Sequence, residues 1–435
     1  MIHLAPEYVY TPTGLQTNML VSISDHGFIS SIAPLDDTES QPSAPVDIET
    51  LPGKALLPGF VNVHSHVFQR ALRGHTHRPL SAKDTFWTWR NAMYAEAGRL
   101  NPDNLYELAL RTYREMLTAG YTTVGEFHYV HHQPGGQPYA NPNAMAEALL
   151  QAGHQAGIRV VLLMTAYAQA GFNLPPQEGQ LRFCDTSVEA YLSRVETLRA
   201  IGVPIGVAPH SVRAVPEEWF RAIDSYSRTH HLPLHVHAGE QVAEVEQCRA
   251  AYNCAPIELL ERFDALDPLT TVIHATHASD EEIALLARHG SAVCVCPTTE
   301  GDLGDGIAPY AALLAANVPL SIGSDSNTRL DPFEELRWAE YSARMRYQHR
   351  RVLVAHELAS PGPSLLDYGT RSGALALGIE AGTIAPGMSA DFIAVDINHA
   401  ALAGWTATDF LDTLFFGASS EVITQVWVQG KRVGG

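Results

Sequence analysis

The sequence predicts an α/β protein in which a (β/α)8 TIM barrel is joined to a small β-sandwich domain formed by both termini. Three observations predict this architecture. Eight apolar runs alternate with helical patterns along the middle of the chain, short alternating strands occur at both ends, and polar residues gather where the eight runs end. We expect one composite β domain from residues 1–56 and 385–435, and one barrel domain from residues 57–384.

The terminal β domain is predicted from segments in which apolar and polar residues alternate. Residues 20–24 show this alternation near the N-terminus, and residues 391–396 and 422–428 resume strand-like sequence near the C-terminus. Turn-forming residues separate the segments. Short strands at both ends therefore predict a single small domain built from the two termini.

The barrel is predicted from eight strand candidates with helices between them. The candidates span residues 56–64, 121–127, 158–166, 203–210, 232–237, 270–275, 291–296 and 318–325. Residues 102–119 illustrate the helices, because Asn101 and Pro102 open an amphipathic pattern that Gly120 ends. A doubly wound open sheet is the alternative, but no Gly-x-Gly-x-x-Gly motif follows the first strand. Residues 170–186 are rich in Pro, Gly and Gln and are predicted to form a long surface loop.

Composition and charge argue against several classes of function. The 435 residues carry a net charge of −19 with 28 Lys and Arg residues, so we expect neither nucleic-acid binding nor attachment to an anionic membrane surface. The five cysteines are scattered and odd in number, which fits a reducing compartment better than a disulfide framework. No secretory leader and no long apolar run are present, so a cytoplasmic protein is expected.

Chemically active side chains cluster at the carboxyl ends of the predicted strands, where barrel proteins place their functional sites. The first strand ends at His64 and His66, which share one face because side chains alternate along a strand. The later strand ends carry Tyr129 on the second strand, His210 and Arg213 on the fourth, His235, His237 and Glu240 on the fifth, His274 and His277 on the sixth, and Asp325 on the eighth. One such histidine alone is commonly structural, and one such aspartate commonly caps a helix. Their convergence on one end of a barrel indicates a site.

Three histidines and one aspartate of this set suit a catalytic metal: His64, His66, His237 and Asp325. Such sites use nitrogen and oxygen ligands and leave one position open for water, whose pKa the metal lowers from about 16 toward about 7. Glu240 lies beyond the end of the fifth strand, where a carboxylate can move protons, and His274 is a second acid, base or electrostatic helper. We expect one Zn²⁺ per chain, with another divalent metal possible. Cys294 and Cys296 are expected in the core.

These motifs resemble the amidohydrolase superfamily, whose hallmarks are His-x-His on the first strand, histidines on the fifth and sixth, and Asp on the eighth. The resemblance covers nearly the whole chain, including the composite β domain. The spacing from His237 to Glu240 is similar to the deaminase branch, which binds one metal and has no bridging lysine on the fourth strand. The resemblance implies that Glu240 and His274 are the proton-transfer pair, that Asp325 assists them, and that the chain forms a homodimer.

Four stretches resemble a narrower family, the N-formimino-L-glutamate deiminases of histidine degradation. They lie at residues 64–70, 86–90, 126–132 and 209–213. The resemblance implies substrate contacts at five side chains, which are Gln69, Arg90, Tyr129, His210 and Arg213. One departure is the pair Gly301 and Asp302, where this family leads us to expect Ala and Asn. The departure adds one negative charge near the barrel mouth.

The substrate implied by this resemblance fits these residues chemically. N-formimino-L-glutamate carries two carboxylates and one N–CH=NH group. Guanidinium pairs with carboxylate in bidentate fashion, so Arg213 and Arg90 suit the anionic end, while Gln69, Tyr129 and His210 offer hydrogen bonds. The expected reaction is hydrolytic deimination to N-formyl-L-glutamate and ammonia. Two alternatives stay open: a guanine-, adenosine- or triazine-type deaminase of the same branch, and a barrel that has lost its metal and serves in assembly.

Overall fold

The structure is a computed structural model that describes residues 1–35, 47–78, 86–356 and 359–434, with only the backbone at residues 86 and 87. Its strands are β1 (Ile2–Thr11), β2 (Gly14–Thr17), β3 (Met19–Ile23), β4 (Ile29–Pro34), β5 (Ile48–Pro58), β6 (Phe60–Ser65), β7 (Tyr121–His128), β8 (Arg159–Ala166), β9 (Ile205–Pro209), β10 (Leu234–Ala238), β11 (Thr270–His274), β12 (Ala292–Val295), β13 (Leu320–Ile322), β14 (Phe392–Asp396), β15 (Ile423–Val428) and β16 (Lys431–Val433). Its α-helices are α1 (Phe86–Ala97), α2 (Pro102–Thr118), α3 (Ala144–Ala156), α4 (Val188–Ala200), α5 (Glu217–His230), α6 (Val242–Tyr252), α7 (Pro256–Arg262), α8 (Asp280–His289), α9 (Pro297–Leu303), α10 (Tyr310–Ala315), α11 (Pro332–Tyr347), α12 (Pro361–Gly369), α13 (Arg371–Ala376) and α14 (Phe410–Gly417). Residues 36–46 of the predicted terminal domain lie outside the described residues, as do the side chains of Phe86 and Trp87 in the motif at residues 86–90.

Strands β6 to β13 form the predicted barrel. They run parallel, and spatial neighbours follow chain order from β6 to β13. Every connection between successive barrel strands contains at least one helix, which is the βαβ arrangement that parallel strands require. The prediction of a (β/α)8 barrel is therefore confirmed, and each strand candidate corresponds to an observed strand.

The first predicted strand, residues 56–64, is two strands in the structure. Strand β5 ends at Pro58 in the terminal sheet, and β6 begins at Phe60 in the barrel. Gly59 makes the change of sheet possible, because a Cβ atom there would lie 2.2 Å from the side chain of Thr122. The apolar sequence gives no sign of this change, because the residues on both sides of Gly59 are buried.

The barrel closes between its first and last strands through the backbone of the residues predicted to hold the metal. The amide of His66 donates to the carbonyl oxygen of Asp325 at 2.9 Å, and the amide of Asp325 donates to the carbonyl oxygen of His64 at 2.9 Å. Ser65 and Asp325 form a parallel bridge at the same point. The two ends of the barrel sequence are therefore joined directly at the site.

The other strands confirm a β domain built from both termini. Hydrogen bonds join them into one mixed sheet in the order β16-β15-β14-β5-β1-β3-β4, with β2 paired to β1. This sheet has a core separate from that of the barrel, formed by Leu4, Val9, Val21, Ile23, Ile29, Leu51, Leu56, Ile384, Ala390, Phe392, Ala394 and Trp427. The domain boundaries at residues 56 and 385 stay predictions. Across the described chain, no helix has both the length and the apolar character needed to span a membrane.

The prediction of a surface loop at residues 170–186 was wrong in part. Gln180, Arg182 and Phe183 are buried, and the Arg182 guanidinium donates hydrogen bonds to the carbonyl oxygens of Ala97, Leu100 and His132. Composition misled here, because these polar side chains find partners that are distant in sequence. The segment instead fixes the C-terminal end of α1 against the barrel.

Candidate active site

Three histidines and one aspartate meet at the carboxyl ends of the barrel strands. His64 lies on β6 and His66 follows its last residue, His237 lies on β10, and Asp325 follows β13. The Nε2 atom of His64 lies 3.1 Å from Nε2 of His66 and 3.1 Å from Nε2 of His237. One carboxylate oxygen of Asp325 lies 3.4 Å from Nε2 of both His64 and His66. All four side chains are buried, and their potential ligand atoms lie within 4.8 Å of one another.

The ring nitrogens that face away from this cluster fix the protonation of two histidines. The Nδ1 atom of His66 lies 2.8 Å from the carbonyl oxygen of Phe127, and Nδ1 of His237 lies 2.9 Å from that of His210. A carbonyl oxygen only accepts, so both Nδ1 atoms carry the hydrogen and both Nε2 atoms present lone pairs to His64. A hydrogen on Nε2 of His64 can satisfy only one of these lone pairs, whereas a cation between the rings would satisfy all of them. The donor set of imidazoles and one carboxylate therefore fits a divalent transition metal.

Burial keeps these histidines in the neutral form. Burial, reinforced by the neighbouring histidines, lowers the pKa of His64 and His237 well below the ordinary value. Burial also lowers the pKa of His66, although Asp325 opposes the shift. A metal ligand must be unprotonated, so the fold holds the three rings in the state that ligation requires.

His274 lies among three carboxylates beside this cluster. Its Nε2 atom is 3.8 Å from an oxygen of Glu240 and 3.8 Å from an oxygen of Asp325, and its Nδ1 atom is 3.3 Å from an oxygen of Glu300. Burial alone would lower the pKa of His274, but Glu240, Glu300 and Asp325 raise it well above the ordinary value. The arrangement favours a protonated imidazole between carboxylates.

Glu240 has an environment that raises the pKa of its carboxyl group toward neutrality. Burial raises the pKa of Glu240 to about 7, with Asp325 and Glu244 adding to the effect and His274 and Arg213 opposing it. A carboxyl group that titrates near neutrality can both accept and release a proton during turnover. Its distance of 3.8 Å from His274 keeps the two predicted proton-transfer groups together.

Two residues of the site have a left-handed backbone. The φ angle is 72° at His274 and 44° at Asp325. Non-glycine residues rarely adopt this conformation, which costs on the order of 1–3 kcal/mol each. The backbone of Asp325 is held by its hydrogen bonds across the barrel closure, so the fold maintains the strain where the side chain must turn into the cluster.

The cluster opens into a cavity lined by polar and aromatic side chains. The lining residues are His66, Gln69, Trp89, Arg90, Met93, Tyr94, Tyr129, Tyr167, Phe183, His210, Arg213, His237, Glu240, Glu244, His274, Leu303 and Asp325. All five side chains predicted to bind substrate are among them, as are the three predicted catalytic residues. Of the predicted site residues, His64 alone contributes to the cluster without lining this cavity.

One part of the cavity offers neutral hydrogen-bonding groups. The amide nitrogen of Gln69 donates to the hydroxyl of Tyr129 at 2.9 Å. The amide oxygen of Gln69 is buried and has no hydrogen-bond partner among the described residues. Burial, together with the charge of Arg213, lowers the pKa of His210 well below the ordinary value, so this ring is neutral. These groups could bind an uncharged N–H or carbonyl group of a ligand.

Another part of the cavity carries two arginines. The Nε atom of Arg213 is buried and has no hydrogen-bond partner among the described residues. Burial lowers the pKa of Arg90, an effect that Tyr94 opposes and the nearby charge of Arg213 increases. Two guanidinium groups close enough to repel each other would be neutralised by an anionic ligand.

The sequence did not indicate Glu300 as a site residue, and it indicated Cys296 only as a core residue. The Glu300 carboxylate accepts hydrogen bonds from the amide of Cys296 at 2.8 Å and from His274. Cys296 is buried as expected, but its sulfur also lies in a group of possible ligand atoms with His274 and Asp325. A glutamate four residues after a strand end was the available signal, because its side chain can reach back to that strand.

Three further residues that drew attention in the sequence make structural contacts. The Nε2 atom of His235 lies 2.8 Å from the carbonyl oxygen of Ala376, and Nε2 of His277 lies 2.9 Å from that of Asp305. Asp302, where the family pattern led us to expect Asn, lies 2.8 Å from Nε2 of His77. The additional negative charge is therefore balanced by a histidine when that ring is protonated.

Comparisons with known proteins agree on one family. The profile of the amidohydrolase family matches residues 55–433. The chain is 38% identical over 432 residues to a formimidoylglutamate deiminase of Pseudomonas aeruginosa, covering 98% of this chain and 93% of that protein. It is 31% identical over 364 residues to an 8-oxoguanine deaminase of the same species, covering 80% and 76% of the two chains. A crystal structure of an amidohydrolase from Brucella melitensis matches with a TM-score of 0.89 and 35% identity, covering 100% of this chain and 95% of that one.

Proposed function

The chain belongs to the amidohydrolase family, and we propose that it deiminates N-formimino-L-glutamate to N-formyl-L-glutamate and ammonia. The observation that carries this proposal is the pair Arg90 and Arg213 in the cavity that also contains the histidine and aspartate cluster. A substrate with two carboxylates and one hydrolysable N–CH=NH group needs both features. The similarity to a formimidoylglutamate deiminase over 98% of this chain supports the same substrate.

The metal that we propose for this site is one Zn²⁺ per chain, held by His64, His66, His237 and Asp325. Imidazole and carboxylate ligands suit zinc, although other divalent metals bind similar sets. Such a metal lowers the pKa of a water molecule and polarises the substrate. The tautomers of His66 and His237, fixed by backbone carbonyls, orient the two rings for ligation.

The remaining groups move protons and hold the substrate. Asp325 accepts one proton from the water that attacks the formimino carbon, and the protonated His274, 3.8 Å from Asp325, stabilises the negative charge that develops. The imino nitrogen needs two protons to leave as ammonia, and Glu240 delivers both. The first is the proton taken from the water: His274 gives its Nε2 proton to Glu240 and takes the one held by Asp325. The second is the hydrogen of the hydroxyl group on the same carbon, so that the C–N bond breaks, ammonia leaves and the formyl carbonyl remains. Arg90 and Arg213 bind the carboxylates, while Gln69, Tyr129 and His210 orient the formimino end.

A purine deaminase is the alternative activity, because an 8-oxoguanine deaminase is also similar to the chain. Ammonia release from N-formimino-L-glutamate, compared with release from aminopurines, distinguishes the two. Turnover of aminopurines alone would overturn the proposal. Absence of bound metal and of hydrolase activity after metal reconstitution would instead favour a non-catalytic role. We propose that the reaction belongs to histidine degradation, as the substrate implies, and that it takes place in the cytoplasm, a reducing compartment that fits the scattered cysteines.

Replacing Arg213 by Met should lower kcat/KM for N-formimino-L-glutamate by about 10²–10³-fold, because a buried charge pair with the substrate is lost. N-butylformamidine, which has the same reacting group and no carboxylate, should be turned over by the variant as well as by the wild type. Steady-state ammonia release with both substrates measures this. Arg99→Met, at an exposed arginine, is the matched control. Equal losses on both substrates would remove the carboxylate role of Arg213.

We also propose that the chain is a homodimer that associates through α11. Trp338, Tyr341 and Met345 expose 45%, 39% and 65% of their surface on this helix, beside Glu334 and Arg344. An apolar patch flanked by both signs of charge can pair with its own copy across a two-fold axis. Sedimentation velocity should give twice the chain mass, and Met345→Glu should give monomers. A monomeric wild type at micromolar concentration would refute the dimer.

A further inference from the structure

Two tyrosines that the motifs did not indicate line the cavity beside the arginines. Tyr94 lies on α1, and Tyr167 follows β8. The ring centre of Tyr94 is 5.5 Å from the guanidinium carbon of Arg90. Burial lowers the pKa of Arg213, but Tyr167, Glu244 and Tyr94 raise it above the ordinary value. Both tyrosines are therefore near both guanidinium groups.

Gln180 fixes the direction of the two tyrosine hydroxyls. Its Nε2 atom donates to the hydroxyl oxygen of Tyr94 at 3.0 Å and to that of Tyr167 at 2.8 Å. Its Oε1 atom accepts from the backbone amide of Gln177 at 3.0 Å. A backbone amide can only donate, so the side-chain oxygen of Gln180 must face Gln177 and its nitrogen must face the tyrosines. Gln180 is only 1% exposed, so this arrangement is part of the packed interior.

The hydroxyl hydrogens of the tyrosines must consequently point elsewhere. Each hydroxyl oxygen already accepts a hydrogen bond from Gln180, so neither hydroxyl can donate to that amide nitrogen. A bond between the two hydroxyls would use one of their two hydrogens. Within the described residues no carbonyl or carboxylate accepts from either hydroxyl. At least one O–H donor is left for a ligand in the cavity.

We propose that Tyr94 and Tyr167 donate a hydrogen bond to the substrate carboxylate that Arg90 and Arg213 bind, and that Gln180 is the positioning residue that directs it. The inference rests on the proposed function. A carboxylate has about four acceptor positions, so two guanidinium groups leave room for a hydroxyl donor. An amidine that lacks a carboxylate presents no anionic acceptor to this hydroxyl. The tyrosines therefore contribute to the selection of a dicarboxylate substrate.

Tyr167→Phe should raise KM for N-formimino-L-glutamate by about tenfold to a hundredfold, because a hydrogen bond to a charged group is lost. The kcat value and the turnover of N-butylformamidine should stay near those of the wild type, since the reacting groups are untouched. Tyr191→Phe is the matched control, because it removes a buried hydroxyl that donates to the carbonyl oxygen of Met164 at 2.7 Å. An unchanged KM in both Tyr167→Phe and Tyr94→Phe would overturn the proposal.

The role of Gln180 is tested with Gln180→Glu. A carboxylate there would accept from both tyrosines and turn their hydrogens away from the cavity, so KM should rise as in the double variant Tyr94→Phe/Tyr167→Phe. In that double-variant background Gln180→Glu should have little further effect. An equal effect in both backgrounds would show that the added charge acts alone, and would refute positioning.

Binding of glutarate, measured by calorimetry, separates this inference from the proposed function. Glutarate is a dicarboxylate that needs no turnover. If the wild type binds glutarate and Tyr167→Phe weakens that binding, the carboxylate contact stands even when N-formimino-L-glutamate is not hydrolysed. If N-formimino-L-glutamate is hydrolysed and glutarate affinity is equal in all the tyrosine variants, the proposed function stands and the tyrosine contact is refuted.

Discussion

Replacing Glu240 by Gln should lower kcat for N-formimino-L-glutamate by about 10²–10⁴-fold, the range that positioned acid–base groups contribute. Glutamine keeps the size of the side chain and its ability to accept a hydrogen bond, but it cannot exchange a proton. Burial raises the pKa of Glu240 to about 7, so the native group releases and recovers a proton near neutral pH. The measurement is single-turnover ammonia release at saturating substrate.

Two measurements on the purified Glu240→Gln variant serve as controls for its metal site and its fold. Metal content and the thermal unfolding midpoint should match those of the wild type, because Glu240 is not among the proposed ligands and its amide stays within the same cavity. Glu246→Gln, at an exposed position of α6, is the matched variant and should keep the kcat of the wild type. If Glu240→Gln kept a near-normal kcat, another group would have to be the acid.

Replacing His66 by Ala should reduce bound metal from one equivalent per chain to a small fraction, with loss of activity in proportion. The Nε2 atom of His66 lies 3.1 Å from that of His64 and 3.4 Å from Asp325, so its removal opens one side of the ligand set. The midpoint of thermal unfolding should also fall, because a ligand that binds only the folded state stabilises it. Metal analysis of the purified protein and a thermal melt with and without chelator measure both effects.

His235 provides the comparison for this experiment. It is a buried histidine on the same strand as His237, but its Nε2 atom lies 2.8 Å from the carbonyl oxygen of Ala376. His235→Gln should keep its metal, and added zinc should restore activity to chelated His235→Gln but not to His66→Ala. Retention of one equivalent of metal with unchanged affinity in His66→Ala would contradict the assigned ligand set.

The barrel and the metal-type cluster were predictable because both follow from simple periodicities. Alternation along a strand places His64 and His66 on one face, and parallel strands bring their carboxyl ends together. His237 and Asp325 then fall beside them, although they are far away in sequence. All four residues lie on a strand or within three residues of its end, so a pattern that identifies the strands also brings the cluster together, while the turn at Asp325 adds the final geometry.

The residues that hold the cluster and the cavity in place were not predictable in the same way. Glu300 lies on α9 and contacts His274 from outside the strands, and its position shortly after a strand end is the one feature of its local sequence that distinguishes it from a solvated helix carboxylate. Gln180 and Arg182 lie in a segment whose composition is typical of a surface loop. Both side chains are buried because they hydrogen-bond to residues more than 80 positions earlier in the chain, Gln180 to Tyr94 and Arg182 to Ala97. Polar side chains are buried only when they find such distant partners, and the composition of a segment gives no information about those partners.

The closure of the barrel at Asp325 sets an order of events during biosynthesis. The hydrogen bonds between Asp325 and the pair His64 and His66 join the first barrel strand to the last. A nascent chain that has not yet produced β13 therefore has histidines but no complete ligand set. If these three residues and His237 hold the metal as proposed, full metal affinity arises only after the final strand docks, and the bound metal would then oppose separation of the first and last strands.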